Sequence, residues 1–138
     1  MLSKMLNNST IVYVNYEDIQ HFIKSRQTNI ILINTLSLNE QTCLIKNTFD
    51  ANLETDFINK HLGDSNLKII IYGKNATDES IKKKYDQLNS LGVKSLYIYP
   101  GGLFEWLLLQ DIYGKEMFPT TTNMLDILKF KGKKKLFV

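Results

Sequence analysis

The sequence predicts an α/β fold in which a mainly parallel central sheet has helices on both faces. Two observations carry this prediction. Short β-type runs alternate along the chain with segments of helical periodicity, and the runs at residues 29–34 (NIILIN) and 67–72 (LKIIIY) are apolar without alternation. Such strands are buried on both faces, which is typical of a parallel sheet between two layers of helices. The 138 residues correspond to one domain by length.

The sequence of the first half predicts two strands and two helices, with a polar, irregular segment at residues 35–50 between the second strand and the second helix. The strands comprise residues 10–14 (TIVYV) and 29–34, and the helices comprise residues 16–25 and 53–62. β-Branched residues dominate the first strand, which favours extended backbone. Asn15 precedes the first helix as a candidate N-cap, and Gly63 ends the second helix.

The second half predicts two further strands and three helices. The strands comprise residues 67–72 and 94–99, and the helices comprise residues 79–91, 102–113 and a short final segment at 123–130. Gly92, Pro100 and Gly114 stand where these elements end. In the last segment, Met124, Leu125 and Leu128 form an apolar stripe that we expect to dock on the body.

Charge is distributed unevenly along the chain. Five lysines follow Asp126 without any further acid: Lys129, Lys131, Lys133, Lys134 and Lys135. The other 12 of the 17 basic residues accompany all 14 acidic ones, so residues 1–128 carry a net charge of −2. We therefore divide the chain into an N-terminal extension at 1–9, a domain at 10–128 and a basic tail at 129–138. The tail offers weak, salt-sensitive contact with nucleic acid phosphates, and a solvated tail is the alternative.

Several sequence features also indicate the cellular compartment of the protein. No apolar run approaches the roughly 20 residues of a membrane span, and the first ten residues (MLSKMLNNST) lack the apolar stretch of a secretory signal. A single cysteine, Cys43, excludes an internal disulfide. We predict an intracellular, cytoplasmic protein. Abundant Lys, Asn and Ile beside one arginine indicate AT-rich coding, as in a protist, an AT-rich bacterium or a large DNA virus.

Two stretches carry a resemblance to a known family. Residues 100–106 (PGGLFEW) resemble the GG-x-x-x-W segment that follows the last core strand of rhodanese-like domains. Residues 31–35 (ILINT) resemble the family's L-I-D-V-R strand, with Asn34 at the acid and Leu36 at the arginine. Residues 69–80 take the place of the active-site loop. The order and spacing of elements fit this family from about residue 10 to 113.

The resemblance implies a parallel sheet flanked by helices, and it also raises the question of activity. Active members carry a persulfide on a cysteine that opens the loop after the central strand, and they pass its sulfur to a thiophilic acceptor. Gly73 stands at that position, and residues 72–80 contain no cysteine and no arginine. The resemblance with this departure favours a domain that has lost sulfur transfer.

The loop itself carries the features of an ordinary helix start. Thr77 is a candidate N-cap, and Asp78 and Glu79 would satisfy the helix dipole and repel an incoming anion. Lys74 is the one positive charge in the loop. His21 and His61 fall on different predicted helices without ligand spacing, and we predict no metal and no cofactor.

We predict a protein partner, bound at the carboxyl ends of the strands, where ligands of such sheets gather. This partner edge comprises Gly73, Lys74, Asn75, Ala76, Thr77, Gly101 and Gly102. The alternative is a sulfurtransferase or thiol-redox protein that uses Cys43 as a displaced nucleophile. No activating base adjoins Cys43, and a buried, inert thiol is the interpretation we favour. We expect Trp106 to belong to the core rather than to a binding surface.

Overall fold

The computed structural model describes residues 10–137 and confirms the predicted α/β fold. The strands are β1 (Val12–Tyr13), β2 (Ile30–Asn34), β3 (Lys68–Tyr72) and β4 (Ser95–Ile98). The helices are α1 (Tyr16–Ser25), α2 (Glu54–Lys60), α3 (Glu79–Ser90) and α4 (Gly102–Tyr113). The strands form one parallel sheet in the order β1-β4-β3-β2. The predicted extension at residues 1–9 lies outside the described residues.

The two central strands are buried on both faces because each face packs against a separate apolar layer. Ile70 and Tyr72 of β3 belong to one layer, together with Trp106 of α4. Ile69 and Ile71 of the same strand belong to the other layer, which also contains side chains of α2 and α3. Every second residue therefore enters the same layer, and both sets are apolar, which explains the absence of alternation in the sequence.

Helix α1 begins where the sequence predicts. The Asn15 side-chain oxygen accepts hydrogen bonds from the N–H groups of Glu17 (2.9 Å) and Asp18 (3.2 Å). In return, Asp18 Oδ2 accepts a hydrogen bond from the Asn15 N–H at 3.0 Å, which completes a capping box. Three donors of the helix start are thereby satisfied by side chains that lie next to them in sequence.

The last predicted helix, residues 123–130, is wrong: the segment contains only the 3₁₀ turn Ile127–Phe130. Met124, Ile127 and Phe130 pack against the core, whereas Leu125 is 97% and Leu128 62% exposed. The predicted stripe of Met124, Leu125 and Leu128 is therefore wrong at two of its three positions. The docked side chains recur every three residues, which is the period of a 3₁₀ turn rather than of an α-helix.

Trp106 is fully buried, as predicted, and its Nε1 donates to the Pro119 carbonyl at 3.0 Å. This contact holds the chain after α4 against the core. The following residues then run antiparallel to residues 42–46, with Lys46 N–H donating to the Pro119 carbonyl (3.1 Å) and Thr121 N–H to the Leu44 carbonyl (2.8 Å). Within residues 10–137, no helix is both long enough and apolar enough to cross a membrane.

Candidate functional site

The candidate site lies at the carboxyl ends of β3 and β4, where Gly73 and the Gly101–Gly102 pair follow the strands. The two loops are hydrogen-bonded to each other: Leu103 N–H donates to the Gly73 carbonyl (2.9 Å), and Phe104 N–H donates to the Lys74 carbonyl (2.8 Å). N–H groups in the first turn of a helix can bind an anion when they have no other partner. In α4 these two N–H groups already bind loop carbonyls.

Gly102 is needed for the close approach of the loops, and Gly73 lies close to side chains of its own surroundings. Gly102 has a φ of +67°, and a Cβ on it would lie 2.6 Å from the Gly73 carbonyl oxygen. A Cβ on Gly73 would lie 2.6 Å from Asp78 Oδ2 and 2.8 Å from Thr35 Oγ1. Contacts that short do not occur without displacement of the neighbours. The position that matches the family's cysteine therefore has no room for any side chain in this conformation.

Asp78 is the N-cap of α3, and the prediction that Thr77 caps this helix is wrong. Asp78 Oδ1 accepts hydrogen bonds from the Ser80 N–H (3.0 Å) and hydroxyl (2.6 Å), while Oδ2 accepts one from the Lys74 N–H (2.9 Å). The loop turns back so that Lys74 N–H reaches this carboxylate. Thr77 lies one residue too early for that geometry, and its hydroxyl donates to Asn75 Oδ1 instead (2.9 Å).

The Asp78 carboxylate thus occupies the inside of the loop as a built-in anion. Partial burial acts to raise its pKa, but the hydrogen bonds from the Lys74 N–H and from Ser80 outweigh burial, and the pKa lies below its ordinary value. The charged form is therefore favoured in the folded protein. A second anion could bind here only by displacing the Asp78 carboxylate, because the two negative charges repel each other.

We predict that Asp78→Ala lowers the free energy of unfolding at neutral pH by about 1–2 kcal/mol, because an N-cap and a loop acceptor are both lost. Since the folded pKa of Asp78 lies below its unfolded value, this contribution is present above the unfolded pKa and is lost as pH falls through the folded pKa. The difference between wild type and variant in urea unfolding should therefore shrink below a pH of about 4.

Glu79→Ala is the matched control, because Glu79 is an exposed carboxylate in the first turn of the same helix. It tests the helix dipole alone, and we expect a loss of about 0.5 kcal/mol. Equal losses in the two variants would contradict the assignment of Asp78 as the carboxylate that organises the loop.

The loop's cation is also engaged within the protein. Lys74 Nζ lies 3.1 Å from Glu40 Oε1, and the Ser37 hydroxyl donates to the same carboxylate oxygen at 2.6 Å. Desolvation acts to raise the pKa of Glu40, but the bonds from Ser37 and Lys74 outweigh it and hold the pKa below its usual value. Lys74 therefore connects the loop to the turn that follows β2.

The C-terminal segment, which we define as residues 124–132, lies against the outer side of the loop. Asn75 Nδ2 donates to the Phe130 carbonyl at 2.9 Å, and a Cβ on Gly132 would lie 3.1 Å from Thr77 Oγ1. The Phe130 ring is 1% exposed and belongs to the same apolar layer as Trp106. The first residues of the predicted basic tail thus contact the loop, while all five tail lysines are exposed: Lys129, Lys131, Lys133, Lys134 and Lys135.

The structure divides the predicted partner edge into three groups by burial. Gly73 and Gly102 are buried and shape the edge from within. Lys74, Asn75 and Gly101 are half-buried, and Ala76 and Thr77 are exposed. A partner at this edge would therefore touch residues 74–77 and Gly101.

Asn34, at the position of the family's acid, has a structural role. It is buried, its Oδ1 accepts a hydrogen bond from the Leu36 N–H (3.0 Å), and its amide exchanges two hydrogen bonds with the Gln41 amide (2.8 and 3.0 Å). Gln41 was not a candidate in the sequence, because the polar segment at 35–50 carries no pattern that marks one residue. These bonds determine how the chain leaves β2.

Cys43 is buried, with 1% of its surface exposed, and its thiol donates to the Thr122 carbonyl at 3.4 Å. The surrounding residues are apolar members of the core layer that contains Trp106. A thiol needs access and a stabilised thiolate to act as a nucleophile. The environment of Cys43 instead matches a small apolar residue of the core.

The two histidines lie apart from the loop. His21 is exposed on α1, and His61 stacks on Phe57 with ring centroids 4.2 Å apart. His61 Nδ1 also lies 2.8 Å from the Phe57 carbonyl oxygen. Among residues 10–137, no three His, Cys, Asp or Glu side chains are close enough together to hold a metal ion.

Solved structures that are similar to this one identify the fold. A rhodanese-like domain from Anabaena sp. is 16% identical, with 94% of this chain and 92% of that chain covered and a TM-score of 0.57. A single-domain sulfurtransferase of Saccharomyces cerevisiae is 13% identical, with coverages of 77% and 96% and a TM-score of 0.56. A homolog of single-domain rhodanese and the Cdc25 phosphatase catalytic domain, also from yeast, is 14% identical, with coverages of 83% and 89% and a TM-score of 0.58.

These likenesses confirm the predicted rhodanese-like fold. At 13–16% identity they establish architecture alone. No family model matches the chain, and no curated protein matches it in sequence.

Proposed function

We propose that this rhodanese-like fold serves as a non-catalytic module that binds a protein partner. One observation carries the proposal: the loop after β3 is filled by the chain's own Asp78 carboxylate, which binds the Lys74 and Ser80 N–H groups. In an active member, backbone N–H groups of this loop stabilise a thiolate or persulfide. Here Gly73 offers neither a nucleophile nor space for one.

The partner edge supplies the surface for such binding. Ala76 and Thr77 are exposed at its tip, and Lys74 and Asn75 are half-buried beside them. Three sets of hydrogen bonds restrain this tip: Lys74 N–H donates to Asp78, the first turn of α4 donates to the Gly73 and Lys74 carbonyls, and Asn75 donates to the Phe130 carbonyl. A rigid, exposed loop loses little entropy when a partner binds it.

Sulfur transfer is the alternative function, because a yeast sulfurtransferase has a similar fold and Cys43 supplies a thiol. The burial of Cys43 and its place in the apolar core disfavour this alternative. The five exposed lysines of the basic tail leave weak nucleic acid binding as a further alternative, one that would weaken steeply as salt is raised.

The first test measures thiosulfate:cyanide sulfur transfer by the wild type and Cys43→Ala, with a cysteine-bearing rhodanese as positive control. We expect no turnover from either form of this protein. We also expect a thiol reagent to react with Cys43 only when the protein is unfolded. Turnover that disappears in Cys43→Ala would overturn the proposal and make Cys43 the nucleophile.

The second test places a photo-crosslinking residue at Ala76 and, as a matched control, at Asn89, which is exposed near the far end of α3. A partner specific for the partner edge should crosslink from position 76 and not from position 89. The crosslink should also be lost when Lys74 is changed to glutamate. Equal crosslinking from the two positions would argue against the partner edge as the binding surface.

A further inference from the structure

A second concave site lies between α1 and the face of the sheet, from the first residues of β2 and β3 (Ile30 and Lys68) to Ile70 and Tyr97 further along β3 and β4. We call it the amino-end cleft, and its volume is about 260 Å³. Its apolar surface is contributed by Val14, Phe22, Ile30, Ile70 and Tyr97. This volume lies near the lower end of pockets that bind small organic molecules, which are mainly apolar with a few polar groups.

The polar groups of the cleft differ in how far the protein already uses them. Asp18 Oδ2 accepts the Asn15 N–H at 3.0 Å, as part of the capping box of α1. The Ser25 hydroxyl donates to the Phe22 carbonyl at 3.1 Å. Lys68, by contrast, has no carboxylate within 4.0 Å among the residues that the structure describes, although three other lysines do.

The position of Lys68 makes its charge available at the cleft. It is the first residue of β3, and its side chain points to the same face of the sheet as Ile70, two residues later. His21 lines the cleft from α1 and can add a hydrogen bond donor. Asp18 is the cleft's one carboxylate, and the start of α1 already stabilises its charge.

We propose that the amino-end cleft binds a small organic anion: an aromatic or aliphatic carboxylate whose apolar part covers Ile30, Ile70 and Tyr97. The carboxylate lies beside the Lys68 ammonium, and the His21 ring borders it from α1. An anion is the proposed ligand because the Lys68 ammonium has no ion pair among the described residues, whereas the Asp18 carboxylate accepts the Asn15 N–H in the first turn of α1, where the helix dipole stabilises its charge. The site is separate from the partner edge, so this proposal does not depend on the proposed function.

The test is a titration of the full chain with benzoate, followed by amide NMR, beside the isosteric benzamide and benzamidine. We expect benzoate to bind with a dissociation constant on the order of 1 mM, as is typical for so small a ligand in a shallow site. The shifts should centre on the cleft residues Phe22, Gln27, Ile30 and Tyr97. Benzamide should bind more weakly, and the cationic benzamidine more weakly still.

Two variants of Lys68 test the role of its charge, and both replace an exposed residue, so the fold should persist. Lys68→Met removes the charge and should weaken benzoate several-fold, and Lys68→Glu should weaken it about tenfold or more. Lys60→Glu, an exposed lysine of α2 outside the cleft, is the control and should leave the affinity unchanged.

Three outcomes would overturn the proposal. The first is the absence of shifts at about 10 mM benzoate, an order of magnitude above the expected constant. The second is binding of benzamide or benzamidine that equals or exceeds that of benzoate. The third is an unchanged benzoate affinity in Lys68→Glu, or equal losses in Lys68→Glu and Lys60→Glu.

Discussion

Replacing Gly102 with alanine is expected to lower the free energy of unfolding by about 3 kcal/mol or more, from left-handed backbone strain and steric overlap together. Gly102 has a φ of +67°, which a residue with a Cβ adopts only at a cost. The new methyl group would also lie 2.6 Å from the Gly73 carbonyl oxygen and 3.0 Å from the Lys74 carbonyl carbon. Both neighbours are backbone atoms, so the loops would have to separate.

That separation would cost further hydrogen bonds. The Gly73 and Lys74 carbonyls accept the N–H groups of Leu103 and Phe104 across the same gap. Amide hydrogen exchange should therefore become faster at Leu103 and Phe104 in the variant, beyond the change that global destabilisation predicts. Urea unfolding measures the stability, and exchange reports whether the damage centres on the contact between the loops.

Gly92→Ala is the matched control for backbone strain. Gly92 also has a positive φ, +96°, but a Cβ there would meet no atom within 4 Å. We expect a loss of about 1 kcal/mol, from conformation alone. If Gly102→Ala were no more destabilising than Gly92→Ala, the close approach of the two loops would be contradicted.

Replacing Phe130 with alanine is expected to cost about 3–4 kcal/mol of stability, the range for large-to-small changes at buried aromatic positions. Phe130 is 1% exposed and packs in the layer that contains Trp106 and Leu103. It is the most deeply buried of the three side chains, with Met124 and Ile127, that pack the C-terminal segment on the body. Thermal or urea unfolding of the variant gives the measurement.

Phe137→Ala provides a control with the same chemical change in the same part of the chain. Phe137 is 77% exposed, and we expect its replacement to change stability by no more than about 0.5 kcal/mol. Similar effects of the two substitutions would contradict the docking of the C-terminal segment. If the C-terminal segment detaches in Phe130→Ala, the Asn75 side chain loses its hydrogen bond to the Phe130 carbonyl. Because Asn75 Oδ1 accepts the Thr77 N–H, amide hydrogen exchange at Thr77 should then become faster.

Much of the fold could be predicted from the sequence because the relevant signals are local. Residues 67–72 are apolar at consecutive positions, and this marks a strand covered on both faces without knowledge of the covering helices. Asn15 and Asp18 satisfy each other across one helical turn, so their capping role is readable from spacing. The absence of a cysteine from the loop after β3 is likewise a property of the sequence itself.

Helix α4 shows where local signals end. It is apolar on most of its surface, so its sequence does not distinguish the buried Leu103, Trp106 and Leu107 from the exposed Leu108 and Ile112. Which of these residues are buried is decided by the sheet, because it packs against only one side of the helix. In the same way, the run of lysines predicted a tail from residue 129. Phe130 nevertheless lies in the core, because its ring packs among residues that are distant in sequence, such as Trp106.

For the candidate site, too, some features follow from the sequence and others only from the tertiary structure. By itself, the sequence determined that the loop after β3 has no cysteine and that its carboxylates accompany a helix start. Only the tertiary structure decided that Asp78 rather than Thr77 is the N-cap, that α4 donates to the loop carbonyls, and that a side chain on Gly73 would displace its neighbours. The physical reason is that capping signals act within one turn of chain, whereas these contacts join β3, α3 and α4 across the end of the sheet.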